Sequence, residues 1–297
     1  MSTVELELRN IQTPKTMMEC GLRQLGSGED FVFNGMGKDR EEGEEMFKCI
    51  LVMDGHGGPS CINIIKNTAE HQLIKLIGHR DPIKAIASYI RMYRLSYEPM
   101  SGATISLAKI YKNRVCCYNV GDSRTFVFLD KRLVYTNTTH DMNNKTDLER
   151  LVKHFEDNGE KYAIHLDVTP SVLSPTEITM ISKSRIVLPI GTLCALTQSL
   201  GHHDGMGYAP EVSEIFYTEE QDLKVLVASD GLFDIMNLHN GEELDLLANC
   251  SVDELLDFAE ERWKQPWNFN KGGKIIEPNV SFPSFDDVGI AIYTSEY

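Results

Sequence analysis

The chain has 297 residues, 42% of them hydrophobic, and a formal net charge of −15. That much apolar material can bury a core, which excludes a disordered chain, and so acidic a surface repels phosphate backbones and anionic lipid, which argues against nucleic acid or membrane as a partner. No stretch joins basic residues to a long apolar run, and none reaches the roughly 18 apolar residues that a membrane span needs.

In chain order, "CILVM" reads as a buried strand that ends abruptly on "DGHGG". Ile62, Ile65, Ala69, Leu73 and Leu76 then recur at helical steps on one face. Asp81-Pro82 caps a second helix with the stripe Ile83, Ile86, Ile90, Tyr93 and Tyr97. "ATISLAKI", "RVCCYNV", "RTFVFL" and "RLVYT", separated by Lys112-Asn113, Gly121-Asp122 and Asp130-Lys131, read as an antiparallel meander. A helix over "DLERLVKHFEDNG" closes at Gly159, and residues 160–192 read as a flap or insert of short strands. "LKVLVASDGLFDIM" is a second buried strand ending on acid-glycine, and Ser251 with Glu254 forms a capping box before "DELLDFAEERW". The run closes with "FDDVGIAIY", a strand led by two acids. The order predicts an α+β fold, with residues 1–297 as one domain.

Asp54 and Asp230 follow strands and Asp286 precedes one, so a last strand antiparallel to the other two puts all three carboxylates at one sheet edge. An Asp-Gly after a strand is also ordinary turn punctuation, and His56 taken alone is more often a satisfied turn histidine. Clustered carboxylates, however, raise one another's pKa unless a cation offsets the charge. An oxygen-only donor set suits Mg²⁺ or Mn²⁺, two such ions sharing a carboxylate can activate a water, and Gly55 lets a carbonyl approach closely. Beside a metal-bound phosphate, His56 can give a proton to the leaving oxygen. Seven cysteines without a C-x-x-C pair signal neither a disulfide framework nor zinc, and point to a reduced, cytoplasmic protein, with the nucleus left open.

"MDGHGG", "SGATISLAKI", "NVGDSRTFVF", "LVASDGLFDIM" and "FDDVGIAIY", in that order, resemble the PPM-type (type 2C) metal-dependent serine/threonine protein phosphatases from about Gly21 to Tyr293. The resemblance implies a four-layer α-β-β-α fold, a central sandwich of two antiparallel sheets flanked by helices. It implies hydrolysis of phosphoserine and phosphothreonine in phosphoprotein substrates, with two Mn²⁺ or Mg²⁺ ions and no covalent phosphoenzyme; a monomer is expected, though not from the resemblance. Asp54 matches the bridging ligand, Gly55 a carbonyl ligand, Asp230 and Asp286 the other direct ligands, and His56 the general acid. Glu29 matches a water-mediated contact, and Asp141 and Asp234, with Asp230, a weaker third metal. Gly121–Arg124 matches a hairpin taken as structural, and Arg23 the phosphate-holding arginine, with two extra residues before Glu29. Gln198 and His202 replace the arginine and aspartate of a "SRxLGD"-like element. The rival readings are a pseudophosphatase acting as a scaffold, a phosphatase of small esters, and a nuclease, which the charge disfavours.

Overall fold

The computed structural model describes residues 15–40, 45–96, 98–165, 171–180, 184–282 and 285–296. Strands β1 (Lys15–Arg23), β2 (Asp30–Lys38) and β3 (Met46–His56) come first, then helices α1 (Ser60–Lys66), α2 (Glu70–Ile77) and α3 (Pro82–Met92). Next come β4 (Gly102–Ala103), β5 (Ile105–Ile110), β6 (Arg114–Val120), β7 (Arg124–Leu129), β8 (Arg132–Thr136) and α4 (Lys145–Asp157). Short strands follow: β9 (Ala163–His165), β10 (Ser171–Ser174), β11 (Ile178–Met180), β12 (Arg185–Val187), β13 (Leu193–Cys194) and β14 (Leu200–Gly201). The chain continues with β15 (Glu211–Phe216), β16 (Leu223–Ala228), α5 (Asp230–Phe233), α6 (Gly241–Asn249) and α7 (Val252–Lys264). It ends with β17 (Trp267–Lys271), β18 (Lys274–Val280) and β19 (Val288–Glu296).

Two antiparallel sheets stack face to face. One runs β1-β19-β16-β7-β8; the other runs β14-β4-β3-β5-β6-β15, with β2 also on β3. Successive side chains of a strand point to opposite faces, and in β3 both faces are covered, so "CILVM" is apolar throughout. Ile50 and Val52 meet Val225, Val227 and Ala291 of the opposite sheet. Cys49, Leu51 and Met53 meet Ile62, Ile65, Leu73 and Ile86 of the helices. On the far side, Leu226, Ile290 and Ile292 pack under Leu232, Leu255, Leu256 and Trp263. The predicted four-layer α-β-β-α fold is the one observed.

Three local expectations need correction. The apolar stripe from Ile62 to Leu76 is carried by two helices, because Asn67 and Thr68 turn their side chains back onto the carbonyls of Asn63 and Ile64, and Ala69 is extended. Tyr93 only caps α3, and Tyr97 lies outside the described residues. The "meander" is two hairpins in different sheets, β5-β6 and β7-β8, and Gly121–Ser123 carries the chain across the sandwich. Gly121 has a φ of 99° there, a conformation open to glycine at little cost.

The described part of residues 160–192 also divides. β9 and β12 pair with each other and β12 with β13, over α4 residues Leu151 and Phe155, whereas β10 and β11 join β17 and β18.

Candidate metal centre

Strand ends from both sheets meet at one edge. Asp54 sits near the end of β3, held by its backbone: Thr104 N–H donates to its carbonyl at 2.8 Å, and its own N–H donates to Thr104 Oγ1 at 3.3 Å. Asp230 opens α5 just past β16, and its carbonyl accepts the Asp234 N–H at 2.7 Å. Because β16 and β19 are antiparallel, with Ala228 opposite Ile290, the end of one lies beside the start of the other, which brings in Asp286. One carboxylate oxygen from each of Asp54, Asp122 and Asp230 lies within 4.8 Å of the others.

These groups face a cleft of about 320 Å³ lined by Glu29, Asp54, Gly55, His56, Asp122, Asp230 and Asp286, with Leu193 and Leu196 on its wall. A smaller hollow of about 130 Å³ is lined by Asp122, Arg124, Asp141, Arg185, Asp230 and Asp234. The acids are open to the cleft yet deep in protein, and the charged forms are poorly solvated. Burial, then the charge of Asp234, pushes Asp230 up to about 7, and burial with Asp286 does the same to Asp234. Burial, then Asp230, raises Asp286 to about 8 and holds Asp54 and Asp122 well above the usual carboxylate range. Arg124, above the Phe233 ring, contributes an attractive field, but the net direction for each of these five acids is upward.

A surrounding set fixes the loops. Asp287 accepts the N–H groups of Gly26 and Glu29 at 2.7 and 2.8 Å, tying the β1-β2 loop to β19. Glu29 takes a hydrogen bond from Ser27 Oγ at 2.6 Å. Its carbonyl accepts the Gly55 N–H at 3.1 Å, so close that a Cβ on Gly55 would stand 2.8 Å from the same oxygen. Asp141 is held by Thr139 Oγ1 and the Asn143 N–H, both at 2.7 Å.

Sequence reasoning gave no metal role to two further acids at the site. Asp122, read as part of a structural hairpin, is in the cluster. Asp30 pairs directly across from Asp54, accepts from Ser229 Oγ at 2.7 Å and is raised to about 7 by burial and then by the charge of Asp286. The available signal was an acid heading a strand that must pair with β3.

Arg23 is a correction. Its guanidinium donates to Asp257 at 2.8 Å and Glu260 at 3.2 Å on α7, and it does not line the cleft. We expect Arg23→Ala to change KM for a phosphopeptide less than about threefold and stability by less than about 1 kcal/mol, as for other exposed pairs. A tenfold rise in KM would return Arg23 to the phosphate. Gln198 is also accounted for: it donates to Asp147 at 2.8 Å and accepts from Ala209 N–H at 2.6 Å, bracing its loop against α4.

The donor set fits hard divalent cations. It is all oxygen, convergent and mutually repulsive, and a cation would relieve the repulsion that raises these groups.

No protein-family model matches the sequence, and no curated protein matches it. Solved structures do. A C. elegans sex-determining protein superposes with a TM-score of 0.58 at 16% identity, over 95% of this chain and 65% of that one. A serine-threonine phosphatase 2C from Toxoplasma gondii superposes at 0.52, with 13% identity over 96% of this chain and 100% of that one. The chain has the type 2C phosphatase fold. Serine/threonine phosphatase Stp1 from Staphylococcus aureus shares it at a TM-score of 0.50, with 17% identity over 98% and 99% of the two chains. Within this fold, Asp54, Asp122 and Asp230 converge at one edge of the sandwich.

Proposed function

We propose that this chain is a metal-dependent phosphatase that hydrolyses phosphoserine and phosphothreonine in proteins. The observation that carries the reading is the convergence of Asp54, Asp122 and Asp230 within 4.8 Å at the floor of an open cleft. Asp54, Asp230 and Asp286, with the Gly55 carbonyl, are the proposed ligands of two Mn²⁺ or Mg²⁺ ions. Asp141 and Asp234 are proposed for a weaker third ion and Glu29 for an outer, water-mediated contact. When bound, such ions supply an acidified water and positive charge for the phosphate.

The chain's own groups do the rest. Asp287 and Ser229 hold the loops that aim the acids. His56 stands in the cleft wall with Nε2 2.8 Å from His202 Nε2 and 3.2 Å from Ser199 Oγ. Burial and the neighbouring His202 push His56 down to about 3, so its ring is neutral near pH 7. His202 Nδ1 lies 3.3 Å from the Pro99 carbonyl, which only accepts, so the hydrogen between the two rings belongs to His56. That Nε2–H is the one His56 can turn to the leaving oxygen.

His56→Ala should slow alkyl phosphates at least about tenfold more than aryl phosphates, because only poor leaving groups need their developing charge stabilised by a hydrogen bond from the neutral ring. Equal slowing would remove the role. The direct test is phosphate release from a phosphothreonine peptide with Mn²⁺, with Mg²⁺ and with excess EDTA. Metal-dependent release that is lost in Asp54→Asn supports the phosphatase. No release from folded, Mn²⁺-bound protein would overturn it in favour of a binding scaffold.

A further inference from the structure

Behind the cleft wall a second donor set assembles, of different chemistry. Ring nitrogens of His56 and His202 and the Cys194 sulfur all lie within 4.8 Å of one another. The three residues come from β3, from β13 and from the turn after β14, so no sequence spacing announces them. Cys194 is 6% exposed and His202 1% exposed, whereas His56 and Cys194 both line the cleft.

The arrangement is already shaped for a metal. His202 donates from Nδ1 to a backbone carbonyl, which leaves its Nε2 lone pair pointing at His56, the outer-sphere pattern of a ligating histidine. The two imidazoles sit over Gly102, where a Cβ would overlap the His202 ring and stand 2.7 Å from His56 Nε2. His202 and His203 both hold left-handed backbone, with φ of 47° and 49°, a cost of about 1–2 kcal/mol per non-glycine residue that keeps the ring turned inward.

We propose that His56, Cys194 and His202 form a zinc site. Two imidazoles and a thiolate are borderline-soft donors that suit Zn²⁺ and not the hard cations expected at the acids. Donor atoms around tetrahedral zinc stand roughly 3.3–3.7 Å apart, given bonds of about 2.0–2.3 Å, so small ring and sulfur movements close the site. On binding, Cys194 loses its thiol proton to solvent and the His56 hydrogen moves from Nε2 to Nδ1, so one proton is released per ion. The fourth position stays open. Zinc there occupies the nitrogen whose hydrogen is offered to the leaving group, so it inhibits; this consequence, unlike the site itself, rests on the phosphatase reading.

Cobalt(II) is the probe, added to full-length protein already saturated with Mn²⁺. One equivalent should produce a thiolate-to-cobalt charge-transfer band, which oxygen ligands cannot give. The band should vanish in Cys194→Ala and in His202→Asn and be displaced by Zn²⁺. No thiolate band, or one that survives in folded Cys194→Ala, would overturn the site, whatever the protein's activity. If phosphate is released, micromolar Zn²⁺ should cut the Mn²⁺-supported rate at least tenfold in wild type and less than twofold in Cys194→Ala, each against its own uninhibited rate. Equal inhibition of both would overturn the inhibitory role and leave the spectroscopic result to decide the site.

Discussion

Asp230→Asn should abolish Mn²⁺-dependent turnover and at the same time raise the melting temperature of the metal-free protein. The first effect follows from the loss of a ligand charge: several kcal/mol of transition-state stabilisation disappear, and at 1.36 kcal/mol per decade the rate falls at least about a thousandfold. The second follows from the cluster's own repulsion. Asp230 stands beside Asp54, Asp122 and Asp234, and its charge is the strongest neighbouring charge that raises Asp54, Asp122 and Asp286. An amide of nearly the same shape removes that charge and leaves α5 in place, since the Asp234 N–H is held by the Asp230 backbone carbonyl. Peptide hydrolysis and thermal unfolding, each with and without Mn²⁺, test both halves. Turnover within tenfold of wild type would exclude Asp230 as a ligand.

Metal-free protein should lose stability as pH rises from about 5 to about 8. Asp30, Asp230 and Asp234 are held at about 7 and Asp286 at about 8, against ordinary carboxyl values near 4 in the unfolded chain. The folded state therefore binds protons more tightly than the unfolded one. The stability contributed by these protonated groups is complete below pH 4 and is lost as pH climbs through the folded values. A loss of only about 2 kcal/mol would lower the melting temperature by about 3 °C in a chain of this size. Mn²⁺ replaces the protons, so its stabilising effect should be larger at pH 8 than at pH 5.5. Calorimetric scans at the two pH values, with and without Mn²⁺, give the comparison. Equal shifts at both would mean that the metal does not bind at these acids.

The sandwich was legible because both faces of its inner strands are covered, which leaves uninterrupted apolar runs such as "CILVM" and "VLVA". Asp54 and Asp230 were legible because each breaks such a run with an acid and a glycine. Asp30 and Asp122 were not, for their membership depends on pairing and crossing. Asp30 enters through the β2-β3 register, and Asp122 through the passage from one sheet to the other. Arg23 misled for a similar reason. Its position on β1 is readable, but the carboxylates that capture it are supplied by α7, far along the chain. The break between α1 and α2 hides behind apolar positions that keep helical spacing across it.

The order of strands has a kinetic meaning. β19 lies between β1 and β16, so the strand synthesised after all the others of the sandwich is an interior one. Until residues 286–296 have emerged from the ribosome, β1 has no partner in its sheet among the described residues, β16 has one bare edge among them, and Asp286 is missing from the acid cluster. The nascent protein can complete neither its core nor its chemistry early, and the same β-insertion finishes both.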